Sequence, residues 1–191
     1  MQLLSVQTGC ARKVVIGERS VLTAIHKSVR ADRVAVTALG LAGDEQVDLS
    51  VHGGLEKAVY AYPAAHYAFW RTQREAAGLD RIDADFPYGS LGENLTTEGL
   101  FEDQVWIGDR LIFPDCVLRV TQPREPCFKL NAAVGLKTGV RLMAQTGFCG
   151  FYLAVEKPGT LAASDPFEVA PGPRQTLVSD QFKTKIRKHM A

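Results

Sequence analysis

The sequence lacks long apolar runs and an excess of either charge. Its 191 residues carry 22 Lys and Arg against 21 Asp and Glu, a formal net charge of +1. No apolar stretch approaches the roughly 18 residues of a membrane-spanning helix. Because the charge is balanced, there is no electrostatic reason to expect binding to nucleic acid or to an acidic membrane. We therefore expect neither a membrane nor a nucleic acid among the partners.

Cysteine is sparse and never closely paired. The four cysteines are Cys10, Cys116, Cys127 and Cys149. They form no C-x-x-C motif, which disfavours a zinc ribbon or a thioredoxin-like site, and they form no iron–sulfur array. The first residues are typical of a strand and lack the pattern of an export signal. These features predict reduced thiols and a cytoplasmic location.

Internal repeats and low-complexity linkers are also missing, and an apolar fraction of 46% is ordinary for a globular domain. Short apolar runs bounded by Gly, Pro and Asp predict strands at 3–7, 33–37, 58–61, 104–107, 110–113, 117–122, 150–155 and 167–169. Two segments, 63–77 and about 136–145, are predicted helices, the first opening on a proline and ending at a glycine. Many short strands favour a barrel or a sandwich. The basic segment 183–189 is expected to be a solvated or frayed end.

The most informative segment places Cys127 directly after Pro126 and between two cations, Arg124 and Lys129. Pro126 suits the first position of a short helix. Cys127 would then lie in the first helical turn, where backbone N–H groups favour an anion. Such surroundings favour the thiolate, which is the form that attacks electrophiles and binds metals. A buried structural cysteine is the alternative, and the local residues alone do not decide between the two.

A second polar segment is His52-Gly53-Gly54, followed by Lys57. Paired glycines let a backbone approach a ligand and expose its N–H groups. His52 and Lys57 bring groups that bind phosphate or a metal-oxo oxygen. An ordinary turn explains the same glycines equally well.

The third segment contains Glu93 and Asn94, which follow a glycine and precede two threonines. A carboxylate and an amide side by side suit the mixed donors and acceptors of a heterocycle such as a pterin. A helix cap or an Asx turn is the structural alternative.

Taken in this order, the three segments resemble the MOSC domain, the module shared with the C-terminal part of molybdenum cofactor sulfurase. Among MOSC proteins, the resemblance is greatest to the stand-alone bacterial proteins that confer resistance to 6-N-hydroxylaminopurine. It spans residues 1 to about 169. It implies a mainly β fold, a MOSC-type β-barrel with a few peripheral α-helices, over residues 1–170. Residues 171–191 would follow as a short basic tail.

The resemblance also implies a bound molybdenum cofactor of the molybdopterin type. Cys127 matches the cysteine that ligates molybdenum in catalytic relatives, so it is the predicted catalytic residue and metal ligand. The predicted cofactor-binding residues are Lys27, His52, Gly53, Gly54, Glu93, Asn94 and Arg124. Within this set, Arg124 and Lys27 are the expected partners of phosphate, and Arg124 also of a metal-oxo oxygen. Asp48 and Lys57 are expected to brace the glycine loop.

The implied reaction is reduction of a small N-hydroxylated compound, such as a hydroxylaminopurine, to the amine, without pyridoxal phosphate. Two electrons would come from a separate donor protein, a flavin or iron–sulfur reductase. Longer bacterial relatives continue into a helical extension, so docking of a partner through such an extension is not expected here. Two other functions stay open: a non-catalytic carrier of the cofactor or of persulfide sulfur on Cys127, and a thiol sensor without a cofactor.

Overall fold

Strands make up most of the regular structure. The computed structural model of the protein describes residues 1–47, 53–79 and 86–190. The strands are β1 (Gln2–Thr8), β2 (Arg12–Ile16), β3 (Arg19–Thr23), β4 (Ser28–Val29), β5 (Val34–Thr37), β6 (Gly40–Leu41), β7 (Val59–Pro63), β8 (Leu95–Glu98), β9 (Arg110–Ile112), β10 (Val117–Pro123), β11 (Phe151–Lys157), β12 (Gly159–Leu161) and β13 (Glu168–Ala170). The helices are α1 (His66–Ala76), α2 (Phe128–Val134), α3 (Gly139–Thr146) and α4 (Val178–Met190), with a short 3-10 helix at Leu55–Lys57.

One sheet of eight strands organises the described residues, in the order β13-β9-β10-β11-β7-β8-β1-β4. Only the β7–β8 pair is parallel within the named ladders. Because the order ends in two edge strands, the described part of the chain contains no closed barrel. The predicted sheet-dominant fold with a few helices is confirmed, and the predicted barrel is not.

Two apolar clusters lie against this sheet. One packs strand residues such as Leu3, Val59, Leu118 and Leu153, all fully buried. The other fills the space between the sheet and the helices with Trp70 and other large side chains. Strand β11 lies in the middle of the sheet and is covered on both faces. For this reason its first four residues are all buried and do not alternate with exposed ones.

Several observed elements differ from the predicted ones. Residues 104–107 form turns, with one isolated bridge from Trp106 to Leu177, because the Asp109 carboxylate accepts the Trp106 N–H within the turn. Pro63 ends β7 and does not open a helix, since α1 begins at His66. The β2–β3 hairpin was not predicted, because its solvent-exposed strands lack a strong apolar alternation.

The C-terminal segment is helical. The basic residues 183–189, expected to be a solvated or frayed end, lie within α4 and are therefore not frayed, although most of those whose burial is described are exposed to solvent. Val178 and Phe182 are buried at helical spacing. Lys185 Nζ donates to Glu125 Oε1 at 2.5 Å, so α4 also braces the segment that carries Cys127. The boundary at residue 170 stays a prediction.

None of the helices in the described residues has the length and the apolar character that crossing a membrane requires.

The Arg33–Asp165 pair makes the stability of the fold depend on pH. Arg33 donates two hydrogen bonds to Asp165, at 2.8 and 2.7 Å, and this bonding lowers the pKa of Asp165. A carboxyl group with a depressed folded-state pKa stabilises the fold above its unfolded-state pKa, and that contribution disappears as pH falls through the folded-state pKa.

We therefore expect Asp165→Asn to lower the melting temperature at neutral pH. Its difference from the parent should shrink as pH falls from about 5 to about 2. Thermal unfolding followed by circular dichroism measures this. Asp180→Asn, which breaks the exposed pair with Lys183, is the control and should change little at any pH. A difference that stays constant with pH would contradict the role given to Asp165.

Candidate functional site

Four of the predicted site residues line one open cleft beside the large sheet: Lys27, Asn94, Arg124 and Cys127. The cleft is bounded by the end of β3, the loop at 45–47, the loop before β8 and the segment that follows β10. Elements distant in sequence therefore bring the predicted thiol, two predicted cations and a predicted amide to one place. Their function as ligands of a cofactor stays a prediction.

Cys127 reaches the cleft from the end of β10. It is partly exposed and has extended backbone angles, φ −127° and ψ 165°. Helix α2 begins one residue later, so Cys127 caps the helix and does not lie in its first turn as predicted. The reason is that Pro126 stays in the connecting segment, outside the helix. Among the cations of the cleft, Arg124 interacts electrostatically with this thiol.

Arg124 is a buried cation, with only 4% of its surface exposed. No carboxylate among the described residues pairs with it. Its guanidinium lies 5.2 Å from the ring centre of Tyr60, and it hydrogen-bonds the Tyr152 side chain. Burial opposes its charge, but Tyr60, Tyr152 and Cys127 hold its pKa above the ordinary value. A buried charge is costly unless it is paired, and an anionic ligand in the cleft would offset that cost.

Two tyrosines form the wall behind Arg124. Tyr60 of β7 and Tyr152 of β11 are direct partners in the antiparallel ladder, and their ring centres are 5.5 Å apart. Burial raises the pKa of both hydroxyls. Both phenols are therefore neutral at physiological pH, and the Tyr60 hydroxyl donates its proton to the Cys149 carbonyl oxygen at 2.8 Å. Sequence reasoning missed this pair, because only the register of two strands far apart in the chain brings the rings together.

Glu93 is fully buried and organises its own loop. Its carboxylate accepts hydrogen bonds from the Tyr67 hydroxyl, from Gly89 N–H (2.7 Å), from Leu91 N–H (3.2 Å) and from the Thr96 hydroxyl (3.0 Å). Burial raises the pKa of Glu93, while these donors act against that rise. The bonds give Glu93 a role in holding the loop. Contact between Glu93 and a heterocycle stays a prediction.

Asn94 joins three segments with its amide. Oδ1 accepts the Tyr60 N–H at 3.0 Å, and Nδ2 donates to Gln7 O at 3.2 Å and to Asp44 Oδ2 at 2.9 Å. Both hydrogens of the amide nitrogen therefore have partners inside the protein. Asn94 lines the cleft, yet these bonds make it a structural clamp between β1 and β7.

The glycine loop is only partly described. Asp48 and His52 lie outside the described residues. Gly54 has φ +88° and donates its N–H to Gln46 Oε1 at 2.7 Å. The predicted cofactor-binding residues Gly53 and Gly54 are not among the described residues that line the cleft, whereas Lys57, at the end of the 3-10 helix, is. The Gln46 side chain holds Gly54, and sequence reasoning gave it no role.

The other thiols suit structural or surface positions. Cys116 and Cys149 are buried. Burial raises the pKa of Cys116 to about 12 and that of Cys149 well above its ordinary value. Cys10 is exposed. Among the four thiols, Cys127 alone combines access to solvent with a position on the cleft.

The clamp formed by Asn94 gives a stability prediction. Asn94→Ala leaves the Tyr60 N–H and the Gln7 carbonyl without their side-chain partners, and we expect it to lower the free energy of unfolding by about 3 kcal/mol. Chemical denaturation measures this. In the same loop, the Ser90 hydroxyl donates only to Pro87 O, so Ser90→Ala is the control and should cost less than about 1 kcal/mol. Equal, small losses in both variants would exclude the clamp.

Several known proteins are similar to this chain. Protein YiiM of Escherichia coli (strain K12) is 37% identical over 169 residues, which is 88% of this chain and 72% of YiiM. A protein named Reductase from Gibberella moniliformis (strain M3125 / FGSC 7600) is 34% identical over 97% of this chain, but the chain spans only 32% of that protein. The crystal structure of YiiM from Geobacillus stearothermophilus superposes with a TM-score of 0.76 at 29% identity, covering 100% of this chain and 86% of that one.

The family model of the MOSC domain matches residues 48–168. This range includes just over half of the residues that line the cleft, among them Asn94, Arg124 and Cys127, and leaves out Lys27. The match covers well over half of the chain, and the YiiM relative is matched over most of its length. The chain belongs to the MOSC domain family.

Proposed function

We propose that this protein binds a molybdenum cofactor in the cleft and reduces small N-hydroxylated compounds to amines, with Cys127 as the protein ligand of molybdenum. One observation carries the proposal. The accessible thiol of Cys127 and the buried guanidinium of Arg124, which has no carboxylate partner in the described part of the chain, line the same cleft.

The chemistry of these residues fits such a cofactor. A thiolate is a soft ligand suited to a transition metal. The pterin carries a phosphate, and a buried guanidinium recognises phosphate by charge and by directed N–H donors. Lys27, Lys57 and Lys129 also line the cleft, together with one carboxylate, Glu45, so that cations outnumber anions among its described lining residues. A cofactor with an anionic group and a metal would therefore offer a partner to the cations and a metal to the Cys127 thiolate.

Each residue of the cleft then has a defined part. Arg124 and Lys27 hold the anionic portion of the cofactor, while Cys127 fixes the metal end. The hydroxyls of Tyr60 and Tyr152 stay neutral because burial raises their pKa, and the Tyr60 hydroxyl donates to the Cys149 carbonyl, so the pair forms an uncharged wall behind Arg124. Glu93 and Asn94 hold the loop at 89–94 in place behind these groups.

When bound, the cofactor would supply the two-electron redox chemistry that the side chains themselves lack. The overall reaction consumes two electrons and two protons, breaks one N–O bond, and yields an amine and water. The electrons would come from a separate donor protein, a flavin or iron–sulfur reductase. The relative named Reductase and the MOSC family match support oxidoreduction as the class of activity.

The test uses protein expressed in a host that makes molybdenum cofactor. We expect molybdenum near one equivalent in the parent by elemental mass spectrometry, and reduction of an N-hydroxylated purine by an artificial electron donor. Cys127→Ser should fold normally and lose at least about 100-fold in rate, because a hydroxyl is a poorer ligand for the metal. Cys10→Ser, which removes an exposed thiol outside the cleft, is the matched control and should keep both molybdenum and activity.

Two results would contradict the proposal. Reduction at the parental rate by Cys127→Ser would exclude the thiolate as a necessary ligand. Molybdenum bound by the parent without any turnover would favour the carrier function. If the parent takes up no molybdenum in a host where a known molybdoenzyme does, the cleft serves another thiol chemistry.

A further inference from the structure

Asp44 lies at the junction of three segments around the cleft. Its Oδ1 accepts a hydrogen bond from Gly9 N–H at 2.7 Å and forms an ion pair with the Lys27 ammonium. Its Oδ2 accepts a hydrogen bond from Asn94 Nδ2 at 2.9 Å. Lys27 and Asn94 line the cleft, and Asp44 stands behind them. One carboxylate therefore contacts two cleft residues that come from distant parts of the sequence.

The Lys27–Asp44 pair is shielded from water. The Lys27 side chain is 7% exposed and that of Asp44 is 6% exposed. In such surroundings two charges interact more strongly than at the surface, and removing one of them leaves the other without compensation. The ammonium has three donor hydrogens, and Asp44 engages the group from one side. The direction in which Lys27 presents its charge is therefore set by Asp44.

The loop that carries Asp44 is itself fixed on both sides. The next residue, Glu45, accepts the Ala11 N–H at 2.5 Å. Gln46 accepts the Gly54 N–H at 2.7 Å and donates to Leu39 O at 2.8 Å. Because these neighbours hold the loop, Asp44 has a fixed place from which to orient other groups.

The packing beside Asp44 leaves little freedom. A Cβ atom added at Gly9 would lie 2.4 Å from the carbonyl oxygen of His26, and one added at Gly92 would lie 2.8 Å from a side-chain carbon of Ile25. The two residues before Lys27 are therefore in close contact with neighbouring segments, His26 with the turn after β1 and Ile25 with the loop before β8. Lys27 extends from a rigid segment.

We propose that Asp44 is a positioning residue, which holds the Lys27 ammonium and the Asn94 amide at the wall of the cleft so that a positive charge faces the Cys127 thiol and its ligand. The inference deepens the proposed function, because the cleft is the site of that function. The inference concerns the distribution of charge around the cleft. This distribution is present before any cofactor binds, so it can be measured on cofactor-free protein.

The measurement compares two reagents that alkylate the same thiolate. Iodoacetate carries a negative charge and iodoacetamide does not, so the ratio of their rate constants at Cys127 reports the local positive charge. Because both reagents attack the same thiolate, with release of iodide, the thiolate fraction cancels in the ratio. All variants are made in a Cys10→Ser background, since Cys10 is exposed, and mass spectrometry of peptides locates the modification.

We expect Asp44→Asn to lower this ratio about threefold, because the ammonium turns away from the cleft once its partner is lost. Lys27→Met should lower it by a similar factor, because it removes the charge. The double variant should be no lower than either single variant, since Asp44 acts through Lys27. Asp44→Glu, which keeps the charge but moves it by one methylene group, should give an intermediate ratio and serves as the second variant if Asp44→Asn does not fold.

Asp165→Asn is the matched control, because it breaks another partly shielded ion pair outside the cleft. It should lower thermal stability and leave the reagent ratio unchanged. If Asp44→Asn behaves in the same way, Asp44 has only a structural role and the proposal is overturned. A rise of the ratio in Asp44→Asn also overturns it, since Asp44 would then merely neutralise Lys27. Losses that add in the double variant overturn it as well.

The test is independent of molybdenum. A protein that binds molybdenum but shows no effect of Asp44 on the ratio loses this proposal and keeps the proposed function. A protein that shows the predicted ratios but never takes up molybdenum loses the proposed function and keeps the positioning role.

Discussion

The central constraint of this structure is the buried positive charge of Arg124 at the end of β10. Proteins rarely bury a guanidinium without a carboxylate partner, and in the described residues the nearby groups are tyrosines, a methionine and cysteines. The Arg124 guanidinium is shielded from water, and the Cys127 thiol near it lies at the open cleft. This arrangement costs stability, and the proposed anionic cofactor beside the Cys127 thiol would offset that cost.

The surrounding elements keep that site in one shape. Glu93 gathers donors from the loop before β8, and Asn94 ties that loop to β1 and β7. Asp44 adds the segment that carries Lys27. On the other side, Lys185 of α4 bonds to Glu125, the neighbour of Arg124. The polar network and the C-terminal helix therefore converge on the same short connection between β10 and α2.

Local features of the sequence predicted part of this site. Contacts between residues far apart in the chain could not be predicted. Arg124 and Cys127 are three positions apart, so their shared cationic setting could be inferred from the chain itself. The Tyr60–Tyr152 pair depends on strand register, which no local pattern encodes. Helix α4 was missed because its many lysines conceal the apolar spacing of Val178 and Phe182. Most predicted strands lie within a few residues of observed ones, since buried and exposed positions set the pattern of apolar residues along a strand. The predicted barrel is not found, because the number of strands alone does not determine whether a sheet closes.

The central claim is that the Cys127 sulfur is bound to molybdenum when the cleft is filled. X-ray absorption at the molybdenum edge tests this directly, by comparing the sulfur neighbours of the metal in the loaded parent protein and in loaded Cys127→Ser. The account predicts one sulfur neighbour fewer in the variant, replaced by an oxygen at a shorter distance. An unchanged sulfur shell in Cys127→Ser, with the metal still retained, would contradict it, because the cleft would then hold the cofactor without using its thiol.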